Sequence, residues 1–411
     1  MNKAVKVRYY IESLCVYDFK QDEIINALYD LLNSLEDETV LTKQSRFFNL
    51  LSSHHSLRHY VSKLILTDDN VFTNAAAAGK CDELDPSILD GVKADLKKLE
   101  VIASISAEDI YKAEEDSDIA DVLKTMPKWN PNGRAMLPLT DEWAEHIEDL
   151  KSFHRTNGYG MFAKFVAFTW RNEEFVPITA IDSIRLTDLK NYEVQRGKVV
   201  DNTVAFISDL PANNVLLYGD RGTGKSSTVH AILNEYKNRG LRMIEISKGD
   251  INDLTMIREK ISDSPMKFII FIDDLSFDNH DDSFGELKAA LEGSLSGRQN
   301  NTLIYATSNR RHLIKENFSD RENDVNRSDT LQEELSLSDR FGLSITFINP
   351  DKKDFEDIVQ KIATDRGLKS DMEKILFTAE QWARRRGGRS PRCARQFIDY
   401  VESCEKRNIE W

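Results

Sequence analysis

Eight consecutive residues, Gly219 to Ser226 in the order GDRGTGKS, combine the residue types that hold a polyphosphate. Gly219, Gly222 and Gly224 permit a sharp backbone bend in which successive N–H groups point inward at phosphate oxygens. Lys225 can then reach between the β- and γ-phosphates, and the Ser226 hydroxyl is a ligand for Mg²⁺. The bare spacing recurs by chance, so its surroundings decide its meaning. Here the apolar run Val215-Leu216-Leu217-Tyr218 precedes it and a helix-like segment extends to Asn238. A strand, a glycine loop and a helix N-terminus, in that order, form an anion site. Asp220, Arg221, Thr223 and Ser227 complete the stretch as candidate nucleotide-binding residues.

A second set of reactive types follows downstream. The continuous apolar run Phe268 to Ile272 reads as a buried strand and ends in Asp273-Asp274. A carboxylate at a strand's C-terminal edge beside a phosphate loop is where a protein holds Mg²⁺, which suits Asp273. Asp274 then suits a general base or water-positioning group. The bland alternative for the pair is a cap at a strand–helix turn. A further strand-like run, Thr302 to Thr307, leads to Ser308-Asn309, whose amide can hydrogen-bond an attacking water or the γ-phosphate.

These groups need elements to position them, and the flanking sequence supplies the pattern. From Val215 onward, strand-like runs (Leu241 to Ser247, Phe268 to Ile272, Thr302 to Thr307, Ser344 to Ile348) alternate with helical segments. That alternation is the signature of an α/β fold with a parallel sheet and crossover helices. Before about residue 157 the chain reads as mainly helical. Gln21 to Glu36 and Leu57 to Ile65 carry apolar residues at helical spacing, Asp85-Pro86 signals a helix start, and another helix is expected from Thr140. His54, His55 and His59 lack a partner set at ligand spacing, and nothing in this third indicates chemistry. Phe162 to Ile178, crowded with Phe165, Phe168 and Trp170, reads as a hairpin whose aromatics pack between domains or stack on bases. After Pro350 the pattern turns helical again.

The 411 residues suffice for two or three domains, and 40% apolar with 30% charged residues is ordinary for a soluble chain. No apolar run approaches a membrane span, and the N-terminus lacks the apolar core of a signal peptide. The four cysteines are too far apart for a CxxC pattern and read as reduced thiols, so a cytoplasmic location is expected. A net charge of −14 argues against a surface given over to nucleic acid, while leaving room for a local basic groove.

In combination, GDRGTGKS, FIIFIDD, ATSN and LSDRFG resemble Walker A, Walker B, sensor 1 and the arginine-finger region of AAA+ ATPases. The phrases NNVLLYGDRGTGKSS, FIDDLSF, YATSNRRHL and SLSDRFG are most similar to a bacterial family of AAA+ proteins of undefined function, of the DUF815 type. The resemblance spans roughly Ile184 to Phe397. It implies a five-stranded parallel core with the sensor-1 strand between the Walker A and Walker B strands, followed by a helical lid. It also implies that Asn309 sits between Lys225 and Asp273, and that Arg340 reaches the nucleotide of a neighbouring subunit. Arg392, after Ser390-Pro391, would be the sensor-2 residue, with Arg395 a second candidate. Leu189 and Tyr192 would give apolar contact to the base, although Asn191 stands where many relatives have glycine. The Asp-Asp ending of Walker B departs from the usual Asp-Glu and implies slower turnover. A surface salt bridge remains the alternative for Arg340, and a nucleic-acid patch the alternative for Arg384 to Arg395.

The expected organisation is therefore a helical N-terminal domain (1–157), a hairpin linker (158–182), an AAA+ core (183–348) and a lid (349–411). The expected activity is ATP binding and hydrolysis with Mg²⁺ by an assembling ATPase that remodels or loads an unidentified protein partner, with no membrane involved. Two alternatives stand beside it: a nucleotide-dependent switch with little turnover, and a DNA-associated loader.

Overall fold

The computed structural model describes residues 2–35, 37–131, 133–277, 283–292, 301–309 and 340–411. Lys315 to Glu334, whose Asn-, Asp-, Glu- and Ser-rich sequence reads as a loop, and Ser338-Asp339 before Arg340 lie outside the described residues. The chain divides into two compact units, Met1–Lys164 and Phe165–Trp411.

The first unit is helical. It comprises α1 (Lys3–Glu12), α2 (Glu23–Asn33), α3 (Val40–Leu51), α4 (Leu57–Leu66), α5 (Val71–Ala78) and α6 (Pro86–Ala103). It continues with α7 (Ala107–Ala113), α8 (Ala120–Thr125), α9 (Ile147–Asn157) and α10 (Gly160–Lys164). The apolar spacing read in α2 is its buried face, with Ile24, Ile25, Leu28, Leu31 and Leu32 inside, and Asp22 caps its first turn. Asp85 likewise caps α6, with Pro86 in the first turn.

The helix expected from Thr140 starts later, at Ile147. Glu142 adopts a left-handed φ of 52°, which a helix cannot continue. The Glu100 carboxylate accepts the N–H groups of Glu142 and Trp143 at 3.0 and 3.2 Å, and Arg58 donates to the Thr140 carbonyl at 2.5 Å. Long-range side-chain bonds thus take the backbone groups that a helix would have used.

One buried carboxyl group ties an irregular segment of this unit in place. Asp95 on α6 is fully buried, and its Oδ2 accepts the N–H groups of Cys15, Val16 and Tyr17 at 2.9, 2.7 and 3.2 Å. These are the residues just after α1, so Asp95 supplies the bonds that the irregular segment between α1 and α2 cannot make itself.

The second unit is built on a mixed sheet whose order is β2-β1-β4-β5-β6-β3-β7. Its strands are β1 (Ala167–Arg171), β2 (Glu174–Pro177), β3 (Val215–Gly219), β4 (Leu241–Ile246), β5 (Lys267–Ile272), β6 (Thr302–Ser308) and β7 (Leu343–Phe347). The five strands from β4 to β7 are parallel and carry the expected order, with β6 between β5 and β3. The hairpin β1–β2 extends this core, β1 adding parallel to β4, so the sheet is wider than five strands. Phe162, read as part of the hairpin, lies instead on α10. Phe168 and Trp170 pack edge-on against Phe175, and the Trp170 indole donates to Asp253 at 2.8 Å.

The helices of this unit are α11 (Glu193–Ile207), α12 (Lys225–Tyr236), α13 (Leu254–Ile261) and α14 (Ser283–Glu292), then α15 (Lys352–Asp365), α16 (Met372–Arg385) and α17 (Pro391–Lys406). Alternate strand residues, such as Val215 with Leu217 and Ile269 with Phe271, share one cluster with Val199 and Phe206 of α11 and Val229 and Ile232 of α12. The period of two puts a single face of each strand under these helices. The last three helices close on their own core of Phe355, Ile358, Ile375, Phe397 and Val401.

Replacing Asp95 by alanine is expected to destabilise the protein by about 3 kcal/mol, because three N–H groups, that of Tyr17 buried and those of Cys15 and Val16 partly so, lose their acceptor. Asn, which keeps one side-chain oxygen, should cost about 1 kcal/mol. Urea denaturation followed by circular dichroism separates the two; equal stability of Asp95→Ala and wild type would refute the role.

Candidate nucleotide site

The phosphate loop begins where β3 ends. Gly219 has a φ of 128°, and a Cβ there would lie 2.0 Å from the Phe347 carbonyl oxygen, so only glycine fits. The close approach has a purpose: Asp220 N–H donates to the same carbonyl at 2.8 Å, tying the loop to the end of β7. Gly224, at φ 93°, precedes the first residue of α12 and leaves the helix N-terminus without a side-chain cap. Its first N–H groups are thereby open to an anion.

Lys225 is only 6% exposed, and its ammonium donates to Gly219 O at 2.9 Å, Asp220 O at 2.7 Å and Asn309 Oδ1 at 3.1 Å. Burial pulls its pKa down to about 8, against the opposing pull of Asp220, Asp274 and Asp273. At neutral pH it therefore remains mostly an ammonium.

The Lys225–Asn309 bond is made possible by the sheet order, since β6 lies directly beside β3. The Asn309 amide in turn donates to Asp274 Oδ1 at 2.5 Å. A parallel chain of bonds joins Ser226 Oγ to Asp273 Oδ1 at 2.6 Å. Lys225, Ser226, Asp273, Asp274 and Asn309 thus converge from three adjacent strand ends. In an open parallel sheet this C-terminal edge is the ligand-binding side.

Leu189 and Tyr192, the residues expected to contact a base, share one cleft with the phosphate loop. Leu189, Tyr192, Gly222, Thr223, Gly224, Ser227, Arg392 and Arg395 all line it. Tyr192 is held rigidly, its ring 5.1 Å from that of Phe347 and its hydroxyl donating to Ile348 O at 2.7 Å. Asn191 and Tyr192 both adopt left-handed φ, 66° and 64°. A glycine would suit position 191 for that reason, and asparagine is the residue type that tolerates the conformation next best.

Ser390 caps α17 as expected, accepting from Cys393 N–H at 3.2 Å. The helix start then rests on the phosphate loop, with Arg392 N–H donating to Gly222 O at 3.1 Å. Much of the neighbouring basic stretch is engaged locally. Arg384 and Arg389 bind Glu380, whose pKa falls chiefly through its bonds to Arg389, and Arg386 lies over the Trp382 ring at 4.3 Å.

Arg340 is not brought to this constellation. Leu343 pairs with Val215 while Phe347 pairs with Gly219, so the start of β7 is at the sheet edge opposite the loop. Arg340 lies before that start, separated from its own loop by a strand of roughly 13 Å.

Two contributors were not read from the sequence. Thr307 contacts both Asp273 and the backbone of Asp274; nothing in the sequence distinguishes it from the other hydroxyl residues of its strand. Arg196 lines the cleft and donates to Leu189 O, and nothing distinguishes it from other helix arginines. Among the described residues no group of three or more His, Cys, Asp and Glu side chains is placed to hold a metal.

A family model described as a protein of unknown function (DUF815) matches residues 163–405, more than half of the chain. No curated protein matches it in sequence. Among solved structures it is similar to the RuvB Holliday junction branch migration motor of Thermotoga maritima, at 17% identity and a TM-score of 0.37. That match covers 55% of this chain and 67% of the motor. It is also similar to the Orc1 protein of Aeropyrum pernix in complex with DNA, at 14% identity and a TM-score of 0.39, over 53% of this chain and 61% of that one. The family match covers more than half of the chain, which therefore belongs to the DUF815 family, and its phosphate loop follows a strand of a parallel core ordered β4-β5-β6-β3-β7, a P-loop α/β fold.

Proposed function

We propose that this protein binds ATP with Mg²⁺ in the cleft and hydrolyses it, assembling so that one copy completes the site of the next. The observation that carries this is the convergence of Lys225, Asn309 and Asp274 in one bonded chain beside Ser226 and Asp273. Ser226 Oγ and Asp273 Oδ1, 2.6 Å apart, are the hard oxygen donors that Mg²⁺ prefers. One hydroxyl and one carboxylate suit an ion completed by phosphate and water. The ion would neutralise charge on the transferred phosphoryl group.

In this reading the loop N–H groups, Lys225 and the α12 terminus bind the phosphates, and Leu189 and Tyr192 flank the base. Asp274 orients water and takes its proton, and Asn309 holds Asp274 and the γ-phosphate in one frame. Arg392 approaches from the lid within the same chain. Arg340, which precedes β7 at the sheet edge opposite its own loop, serves a neighbouring copy. The partner that is remodelled or loaded would be a protein, with the cytoplasm the expected setting. A low-turnover switch is the second reading, favoured by the Asn309 amide already engaging Asp274 at 2.5 Å. The DNA-loader reading gains little from Arg384, Arg386 and Arg389, whose charges face Glu380 and Trp382.

Lys225→Ala should abolish ATP binding, whereas Asp274→Asn should bind ATP and lose phosphate release by roughly 10²–10⁴-fold. Steady-state assays at assembling concentrations test both; release that survives both changes defeats the hydrolase reading. Arg340→Ala should lower turnover by about 10³-fold with ATP binding intact. Mixing it with Lys225→Ala should recover activity, since each supplies what the other lacks; an inert mixture argues against a shared site.

Binding should also depend on pH through Lys225. Its pKa is about 8 in the protein alone and rises beside a polyphosphate. Below pH 8 the group is charged in both states and affinity is flat. Above it a proton must be taken up, so Kd should rise by up to about tenfold per pH unit. Calorimetry from pH 7 to 9.5 measures this, and a flat profile contradicts it.

A further inference from the structure

The carboxylates at 273 and 274 lie beyond the point where strand pairing stops. The last register pair between β5 and β6 is Ile272 with Ala306. Thr307, the next residue of β6, takes over from the ladder and holds the three residues of the turn that follows. Its hydroxyl donates to Asp273 Oδ1 at 2.5 Å and accepts from Asp274 N–H at 2.9 Å. Its carbonyl accepts from Leu275 N–H at 2.7 Å.

The hydroxyl has one proton, and the contact to Asp273 uses it. Thr307 is 2% exposed, so little solvent competes for these bonds. Asp273 Oδ1 is thereby fixed between Thr307 and Ser226, the latter at 2.6 Å. Asp274 sits at a left-handed φ of 51°, a conformation that a non-glycine residue keeps only when its surroundings enforce it. Its backbone conformation sets the Cα–Cβ direction from which the short carboxylate projects, and the Asn309 amide then holds Oδ1 at 2.5 Å. The Thr307 bond to Asp274 N–H is one of the contacts that enforce it.

We propose that Thr307 is a positioning residue of the hydrolytic site, aligning the metal-binding oxygen of Asp273 and the aim of Asp274 through one hydroxyl. This rests on the ATPase reading above. Mutating groups that orient a metal ligand typically costs 10–100-fold in metal affinity or activity.

The test compares wild type, Thr307→Val, which keeps the branched shape without the hydroxyl, and Thr307→Ser, which keeps the hydroxyl. ATP affinity is measured by calorimetry in EDTA and in MgCl₂, alongside phosphate release and a thermal melt. In EDTA the valine variant should bind ATP within about threefold of wild type. Its gain in affinity on adding MgCl₂ should shrink by about tenfold or more, and kcat should fall by about 10–100-fold, with serine restoring both. A valine variant with wild-type magnesium gain and kcat overturns the proposal. So does one that loses ATP affinity equally in EDTA, which would make Thr307 a support of the fold alone. A wild type without magnesium-dependent ATP binding overturns the ATPase reading and this one together. If Thr307→Val does not fold, Thr307→Ala, too small to clash, carries the same comparison.

Discussion

A lysine ammonium buried at a bend of glycines must place three protons on acceptors, and the site depends on how Lys225 does so. Two go to the carbonyls of Gly219 and Asp220, which holds the loop in its curved form. The third crosses to Asn309 on the neighbouring strand. Without that crossing, the loop and the carboxylates would be separate features on one sheet edge. Desolvation lowers the lysine's pKa without neutralising it at pH 7, so a dense positive charge is kept where a polyphosphate tail can reach it.

The sheet order is what brings these partners within bonding distance. Because β6 lies between β3 and β5, Asn309 faces the loop on one side and the Asp273-Asp274 turn on the other. The ends of the three strands act as one rigid edge, since their pairing and buried apolar faces leave little freedom. A serine hydroxyl and an aspartate can then remain 2.6 Å apart on elements far separated in sequence. Arg340 precedes β7 at the opposite edge of the sheet, a strand's length from the loop.

The lid meets the site through backbone as well as side chains. The Arg392 N–H bonds the loop at Gly222, and the Asp220 carboxylate accepts the N–H of Asn349, just before the lid helices. The loop is thus bonded to the segment before α15 and to the first turn of α17. In the helical first unit, buried polar groups do a different job. Asp95 and Glu100 bind backbone N–H groups that local structure leaves unpaired, which fixes irregular segments against helices.

Most of the second unit was legible because its signals are local. Strand-length apolar runs, a glycine loop before a helix, and the Ser390-Pro391 cap each follow from neighbouring residues and a short-range rule. In the first unit α2, α4 and α6 were legible for the same reason. The helix expected from Thr140 was not, because Arg58 and Glu100 compete for its backbone from far away in the chain. The hairpin's strands were readable, yet nothing local says that β1 pairs with β4 and widens the sheet.

The sequence by itself determined which chemistry the loop, the aspartates and the terminal amide are suited to, since that chemistry resides in residue type and spacing. Only the tertiary structure decided which of them touch. Thr307 shows the difference: in sequence it is one more residue of a strand, and its hydroxyl gains meaning only where two strands cease to pair. Arg340 shows the converse, a residue whose place before β7 puts it at the opposite sheet edge from the loop. The physical reason is common to both. A hydrogen bond needs its partners within about 3 Å, and for residues distant in the chain only the packing of the sheet sets that distance.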